Sequence, residues 1–272
     1  TSGIPWVNQA DPDYLLCLIV FSLAVIVYVV YGGFRAVVWT DVMQGVVMFV
    51  GVLLMLVLAL TQVGGLSNAT RQMALMTPPE HGTANITVGV PADRDIVLPK
   101  GTWIKDQGEA FRLADLARIP AGELTSESIE ILKITTPSEI EKIESDPETQ
   151  GVGIRIGEMI PYQYGAGKAG VYLRNPGPSP NSGLGFLALG TAVSFFVFWP
   201  FGAAGQPSNM VRLMSFKDSK TLRYSIVTVA IYYSIIYFSL VVVFCCGRVL
   251  MPGMEIDPDR TMPDLATLLT KN

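Results

Sequence analysis

Two short stretches hold the residues whose types and spacing admit chemistry. In the first, Gly32-Gly-Phe-Arg-Ala-Val-Val-Trp-Thr-Asp41, two glycines, Arg35 and the Thr40–Asp41 pair interrupt an otherwise apolar sequence. A carboxylate beside a membrane-length apolar run is expensive and usually has a task. Asp41, with Thr40 next to it, is therefore a candidate cation site or cation route. The structural alternative is a helix cap, a side-chain oxygen accepting from free N–H groups where the second apolar run begins. The glycines most simply permit a tight turn with positive φ.

The second stretch is Phe198-Trp-Pro-Phe-Gly-Ala-Ala-Gly-Gln-Pro207, with two prolines and two glycines. Pro200 and Pro207 remove backbone donors, and their rings clash with the preceding turn. A helix broken at membrane depth is tolerated only where protein or a watery cavity satisfies the freed groups. Solute and ion sites of many secondary transporters are built on such breaks. A proline-kinked packing helix with an interfacial aromatic belt is the alternative. Gln206 favours the site, because a buried amide needs partners. Phe198, Trp199, Phe201, Gly202, Gly205, Gln206 and Pro207 are the candidate substrate-binding residues.

Little else points to chemistry. His81, the single histidine, is expected in a polar loop without companion ligands. Cys17, Cys245 and Cys246 sit in apolar runs, with neither a disulfide framework nor metal-ligand spacing. No nucleophile pairs with a base, so the chain is not expected to be an enzyme, and no cofactor is implied beyond a possible cation at Asp41. Nor does any basic stripe exist to neutralise phosphates, which argues against a nucleic-acid partner.

The elements that must position these residues are set by composition. The chain is 50% hydrophobic and 15% charged, against about 25% charged in soluble domains, and its mean hydropathy is +0.42. Four windows meet the requirement of roughly 20 mostly apolar residues for a span: about Tyr14–Tyr31, Val42–Leu60, Gly183–Gly205 and Tyr224–Leu250. Each should be helical, since lipid offers no partner for a backbone group. The expected architecture is an all-α integral membrane protein, with a tight junction of about ten residues pairing the first two spans.

Lys and Arg in the short loops orient these spans. Arg35 marks the first turn, and Arg212, Lys217, Lys220 and Arg223 mark the loop after the third span. Residues 1 to 13 carry no basic residue. Both basic loops should therefore face the cytoplasm, which places about 66–182 outside it. Three domains are expected: a helix pair over 1–65, an extracytoplasmic insertion of mixed α/β or irregular structure over 66–182, and a second helix pair over 183–272. Within the insertion, Asp93–Leu98 predicts a strand and Ser126–Lys133 a short helix. A further helix is expected to start at Thr136-Pro-Ser-Glu139 with Ser138 as its cap, and 175–183 to be a linker. Tyr232, Tyr233 and Tyr237 lie at helical spacing and are expected to pack. The absence of an initial methionine suggests an internal piece of a longer protein.

These residues resemble the sodium:solute symporter family. Gly32-Gly-Phe-Arg-Ala-Val-Val-Trp-Thr-Asp-Val-Met-Gln44 is similar to the family's signature turn. Gly205-Gln-Pro-Ser-Asn-Met-Val-Arg-Leu-Met214 resembles a run of the sodium/proline branch. Lys217-Asp-Ser-Lys220, Gly247-Arg-Val-Leu-Met-Pro252 and Met262-Pro-Asp-Leu265 are closer to the sodium/pantothenate branch. The resemblance covers the spans and short loops, not residues 66–182. It implies part of a LeuT-type inverted-repeat fold, with Asp41 on the cytoplasmic sodium route and Trp199, Gly202, Gln206 and Pro207 on a substrate-bearing broken helix. Ser208 and Ala203 replace the histidine and tyrosine of the proline branch, so proline is not specified. The implied function is sodium-coupled symport of a small, carboxylate-bearing organic solute across the cell membrane, with the bilayer, sodium and solute as partners. The alternatives are a symporter-like solute sensor and a membrane-anchored extracytoplasmic binding module.

Overall fold

The computed structural model describes residues 12–89, 95–149 and 151–271. The chain divides into two compact units, one up to Leu54 and one from Met55 onward.

The first unit is helical. Helix α1 (Pro12–Val63) fills it and sends its last turns into the second unit. It leaves helical geometry at Gly33, where φ is 57° and ψ −162°. Glycine alone takes that left-handed φ without a Cβ penalty. On either side, Leu15–Gly33 and Arg35–Val63 are each long and apolar enough to cross a membrane. The expected ten-residue junction thus shrinks to one non-helical glycine, because the residues after it have no further breaker and resume the helix. The basic-free terminus used to orient the chain lies mostly outside the described residues.

The second unit joins helices to a sheet. Gly64 and Gly65, both with positive φ, separate α1 from α2 (Leu66–Leu75), and Asn68 Nδ2 donates to Val63 O at 2.6 Å across the corner. A core of Ala59, Val63, Met73, Val243, Cys246 and Leu265 binds the end of α1 to α2, α6 (Ser219–Leu250) and α7 (Thr261–Thr270).

Between them runs an antiparallel five-stranded sheet in the order β3-β4-β6-β1-β7. Its strands are β1 (Glu80–Val88), β3 (Trp103–Asp106), β4 (Glu109–Leu113), β6 (Ile129–Ile134) and β7 (Val152–Ile160), and β2 (Ile96–Leu98) pairs separately with β5 (Ala117–Ile119). Strand β6 is central, flanked by β4 and β1. Ile129 and Ile131 enter one core with Ile86, Ile104 and Phe111. Leu132 and Ile134 enter a second on the opposite face, with Ala110 and Ile143.

That two-faced burial corrects the helix expected over Ser126–Lys133. A central strand with apolar residues on both faces loses strict period-two alternation, and with Glu130 and Lys133 between them the isoleucines and Leu132 read as helical spacing. The strand expected over Asp93–Leu98 is present as β2, although Asp93 and Arg94 lie outside the described residues. Helix α3 (Pro137–Lys142) follows Thr136, not Ser138, because proline's fixed φ suits the first helical position. His81 lies in β1, not in a loop. Residues 175–183 are not a bare linker: Ser179 is buried and pairs with Tyr164 through backbone bonds of 3.1 and 3.2 Å.

The third expected span is shorter than its window. Helix α4 (Leu189–Gly205) has 17 residues, about 25 Å against the roughly 30 Å hydrocarbon core. The residues before it are held elsewhere, with Phe186 N–H donating to Gly177 O at 3.2 Å and Leu187 N–H to Pro176 O at 2.8 Å. Helix α6, by contrast, has membrane length.

Candidate functional site

Thr40 and Asp41 lie inside α1 rather than at a helix start. The helix resumes after Gly33, well before them, so the N–H groups of its first turn are not within their reach. Thr40 Oγ1 donates to Ala36 O at 2.9 Å, one turn back, the usual way a mid-helix hydroxyl is satisfied. Thr40 is half-buried and Asp41 exposed within this chain.

The second site is a broken helix, with its break later than the first proline suggests. Pro200 is accommodated within α4. Helical geometry ends at Gln206 (φ −76°, ψ 123°), and Pro207 opens α5 (Pro207–Met214). Proline disfavours the helical conformation in the residue before it, and Gly205 adds no resistance. Asn209 stitches the break. Its Nδ2 donates to Ala203 O at 2.9 Å and lies 3.4 Å from Gln206 Oε1. One amide thereby serves a C-terminal carbonyl of α4 from the first turn of α5. Sequence reasoning missed Asn209; the available signal was an asparagine two residues after a helix-breaking proline.

Gln206 is exposed rather than buried, and no residue of α4 is buried. Phe198, Trp199 and Phe201 are exposed by 65%, 66% and 76%. Phe198 and Trp199 meet edge to face at 6.2 Å, whereas Gly202 and Gly205 would meet no atom within 4 Å if given a Cβ. The structure joins these candidate substrate residues along one helix–break–helix segment and leaves them exposed.

The enclosed polar groups lie elsewhere, where α6 ends against the sheet. Arg248 pairs with Glu255, and its guanidinium lies 4.1 Å from the ring centroid of Tyr172. Tyr172 donates its hydroxyl to Glu255 at 3.3 Å. Nearby, His81 stacks on Tyr162 with ring centroids 5.4 Å apart. Burial holds the His81 pKa below its ordinary value, against the opposing pull of Glu255 and Glu130. It pushes the Tyr162 phenol up to about 12 and raises Tyr172 and Glu139 as well. Tyr233 and Tyr237 stack on each other at 5.7 Å on α6. Among the described residues, no three His, Cys, Asp or Glu side chains gather as metal ligands would.

The family comparison takes in the first candidate stretch but not the second, and it runs past residue 66, where the resemblance is not expected to reach. The model of the Sodium:solute symporter family matches residues 8–104, including Gly33 and Asp41. The chain is similar to the sodium/pantothenate symporter of Haemophilus influenzae, 23% identical over 253 residues, which is 93% of this chain and 32% of that protein. The sodium/pantothenate symporter of Escherichia coli is 37% identical over 71 residues, 26% of this chain and 15% of that one. The osmoregulated proline transporter OpuE of Bacillus subtilis is 36% identical over 66 residues, 24% and 13% of the two chains. The chain thus spans about a third or less of the length of these relatives. Among the described residues three helices are long and apolar enough to cross a membrane, and the matched sequence resembles sodium:solute symporters.

Proposed function

On the premise that residues 8–104 carry the sodium:solute symporter match, we propose that the chain is part of a sodium-coupled transporter for a small, carboxylate-bearing organic solute. The family match across the Gly33–Asp41 stretch is the observation that carries this reading. The break at Gln206 agrees with it, since discontinuous helices are how many secondary transporters form solute sites. Pantothenate and proline, the solutes in the relatives' names, are both carboxylates. The positive end of the α5 dipole suits such a group.

In this reading the fold is part of a LeuT-type inverted repeat. Residues 1–65 and 183–272 form membrane helix pairs, and 66–182 is an extracytoplasmic insertion. Asp41 and Thr40 lie on the cytoplasmic sodium route, while Phe198, Trp199, Phe201, Gly202, Gly205, Gln206 and Pro207 face the solute in the complete protein. Coupling follows if sodium favours the outward-open state in which solute binds well, an argument from differential affinity. No covalent step is required.

The test is uptake by the full-length protein in proteoliposomes. Solute accumulation should follow an imposed inward sodium gradient, and accumulation indifferent to that gradient would overturn the proposal. Asp41→Ala should lower sodium dependence more than protein abundance. An equal loss of both would return Asp41 to a purely structural role.

A further inference from the structure

A cavity of about 270 Å³ lies between strands β3 and β4 and the segment after α6, lined by Trp103, Arg112, Leu250, Thr261, Asp264 and Leu268 among others. We infer that it is a binding site for a small organic carboxylate with an apolar body, separate from the α4–α5 break. The inference does not depend on sodium-coupled transport.

Arg112 supplies the charge. Its Nε donates to Gly101 O at 3.2 Å and its Nη1 to Gly253 O at 2.8 Å, and the guanidinium lies 5.4 Å from the Trp103 ring centroid. Among the described residues no carboxylate lies within ion-pair distance of it. Burial pulls its pKa below the ordinary arginine value, against the opposing pull of Asp264, Glu255, Asp146 and Asp257. The two acids lining the cavity have cations of their own: Asp257 meets Lys100 at 3.5 Å and Asp264 meets Arg260 at 3.9 Å. The lining charge that still lacks a counter-ion is therefore positive.

A second, independent observation lies across the cavity. Thr261 is 3% exposed, yet its buried hydroxyl has no hydrogen-bond partner among the described residues. Such a group costs stability unless something satisfies it. Thr261 opens the ten-residue helix α7, which has no side-chain cap, so the positive dipole end of α7 lies at the same place. A carboxylate between Arg112 and the start of α7 satisfies the hydroxyl and neutralises the guanidinium. Trp103, Leu250 and Leu268 suit an aliphatic body. Gly253 makes the arrangement possible: at φ +69°, a Cβ there would sit 3.0 Å from Arg112 Cδ and 3.2 Å from the Trp103 ring.

The probe is isovalerate, with its neutral isostere isovaleramide as control, titrated calorimetrically into the full-length protein in detergent. Isovalerate should bind about tenfold or more tightly than isovaleramide, as a charge-assisted contact implies. Thr261→Val, which removes an unpartnered hydroxyl and leaves folding intact, should weaken binding about tenfold. Leu268→Trp should abolish it by filling the cavity, and Arg112→Gln should erase the preference for acid over amide. Gln206→Ala should leave binding unchanged, even if transport is lost. The inference fails if acid and amide bind alike, if neither binds, or if Thr261→Val and Leu268→Trp leave affinity unaltered. It also fails if binding is lost in Gln206→Ala while it survives in Thr261→Val.

Discussion

The α4–α5 break and the end of α6 are both polar interruptions of apolar sequence, yet they are solved in opposite ways. At the break, Asn209 satisfies one carbonyl, and the aromatic side chains around it stay exposed. At the end of α6, Arg248, Glu255 and Tyr172 satisfy one another beneath the sheet and its cores. The first region depends on a surrounding of lipid or further helices, whereas the second brings its own cover. Exposed apolar area on this scale marks a membrane or protein interface. The difference teaches that the candidate transport residues take their environment from outside the chain, and the sheet segment from within it.

The largest effect should come from the self-contained region. Glu255→Ala leaves Arg248 and the Tyr172 hydroxyl without their acceptor, and an uncompensated buried charge costs about 3 kcal/mol or more. Hydrogen exchange in the full-length protein should speed up in β6 and α3 while α4 stays unchanged. If α4 is destabilised equally, the contrast between the two regions is broken.

Asn209→Ala should act in the other direction. It removes a hydrogen bond worth about 1 kcal/mol, and exchange should rise around Ala203 and Gln206 with the sheet unaffected. Because the break is the proposed solute site, uptake should fall more than abundance, and Asn209→Asp should restore little. The aspartate loses the amide donor that serves Ala203 O.

What was legible in the sequence follows this divide. The apolar runs of α1 and α6 are set by composition, and the helix break by Pro207, so both were readable. The register of local events was not. Gly33 alone absorbs a junction expected to take ten residues, which moves Asp41 from a cap into a helix interior. Strand β6 hid because burial on both faces erases alternation, leaving Ile129, Ile131, Leu132 and Ile134 spaced much as on a helix. Least legible was the Arg112–Thr261 cavity. Arg112 and Gly253 are 141 residues apart in sequence, and only the pairing of strands β3 and β4 with the segment after α6 brings them together. A half-buried arginine and a helix-opening threonine carry no local sign of each other.

The smallest predicted effect is a titration. His81 is held below its ordinary pKa by burial beside Tyr162, so folding favours the neutral ring. That contribution is complete above the unfolded-state value of 6.5 and is lost as pH falls through the lower folded-state value. Glu139 has the opposite sign: burial raises its carboxyl pKa, which favours the folded state at low pH and costs stability as pH rises through the folded value. Below pH 6.5 the two oppose each other, and His81→Gln should remove the histidine's share. Thermal unfolding of the sheet segment should then show a shallower loss of stability on acidification, with no change above neutrality. An unchanged acid slope would mean that another group governs it. The exposed α4–α5 break should show neither response, since no residue of α4 is buried.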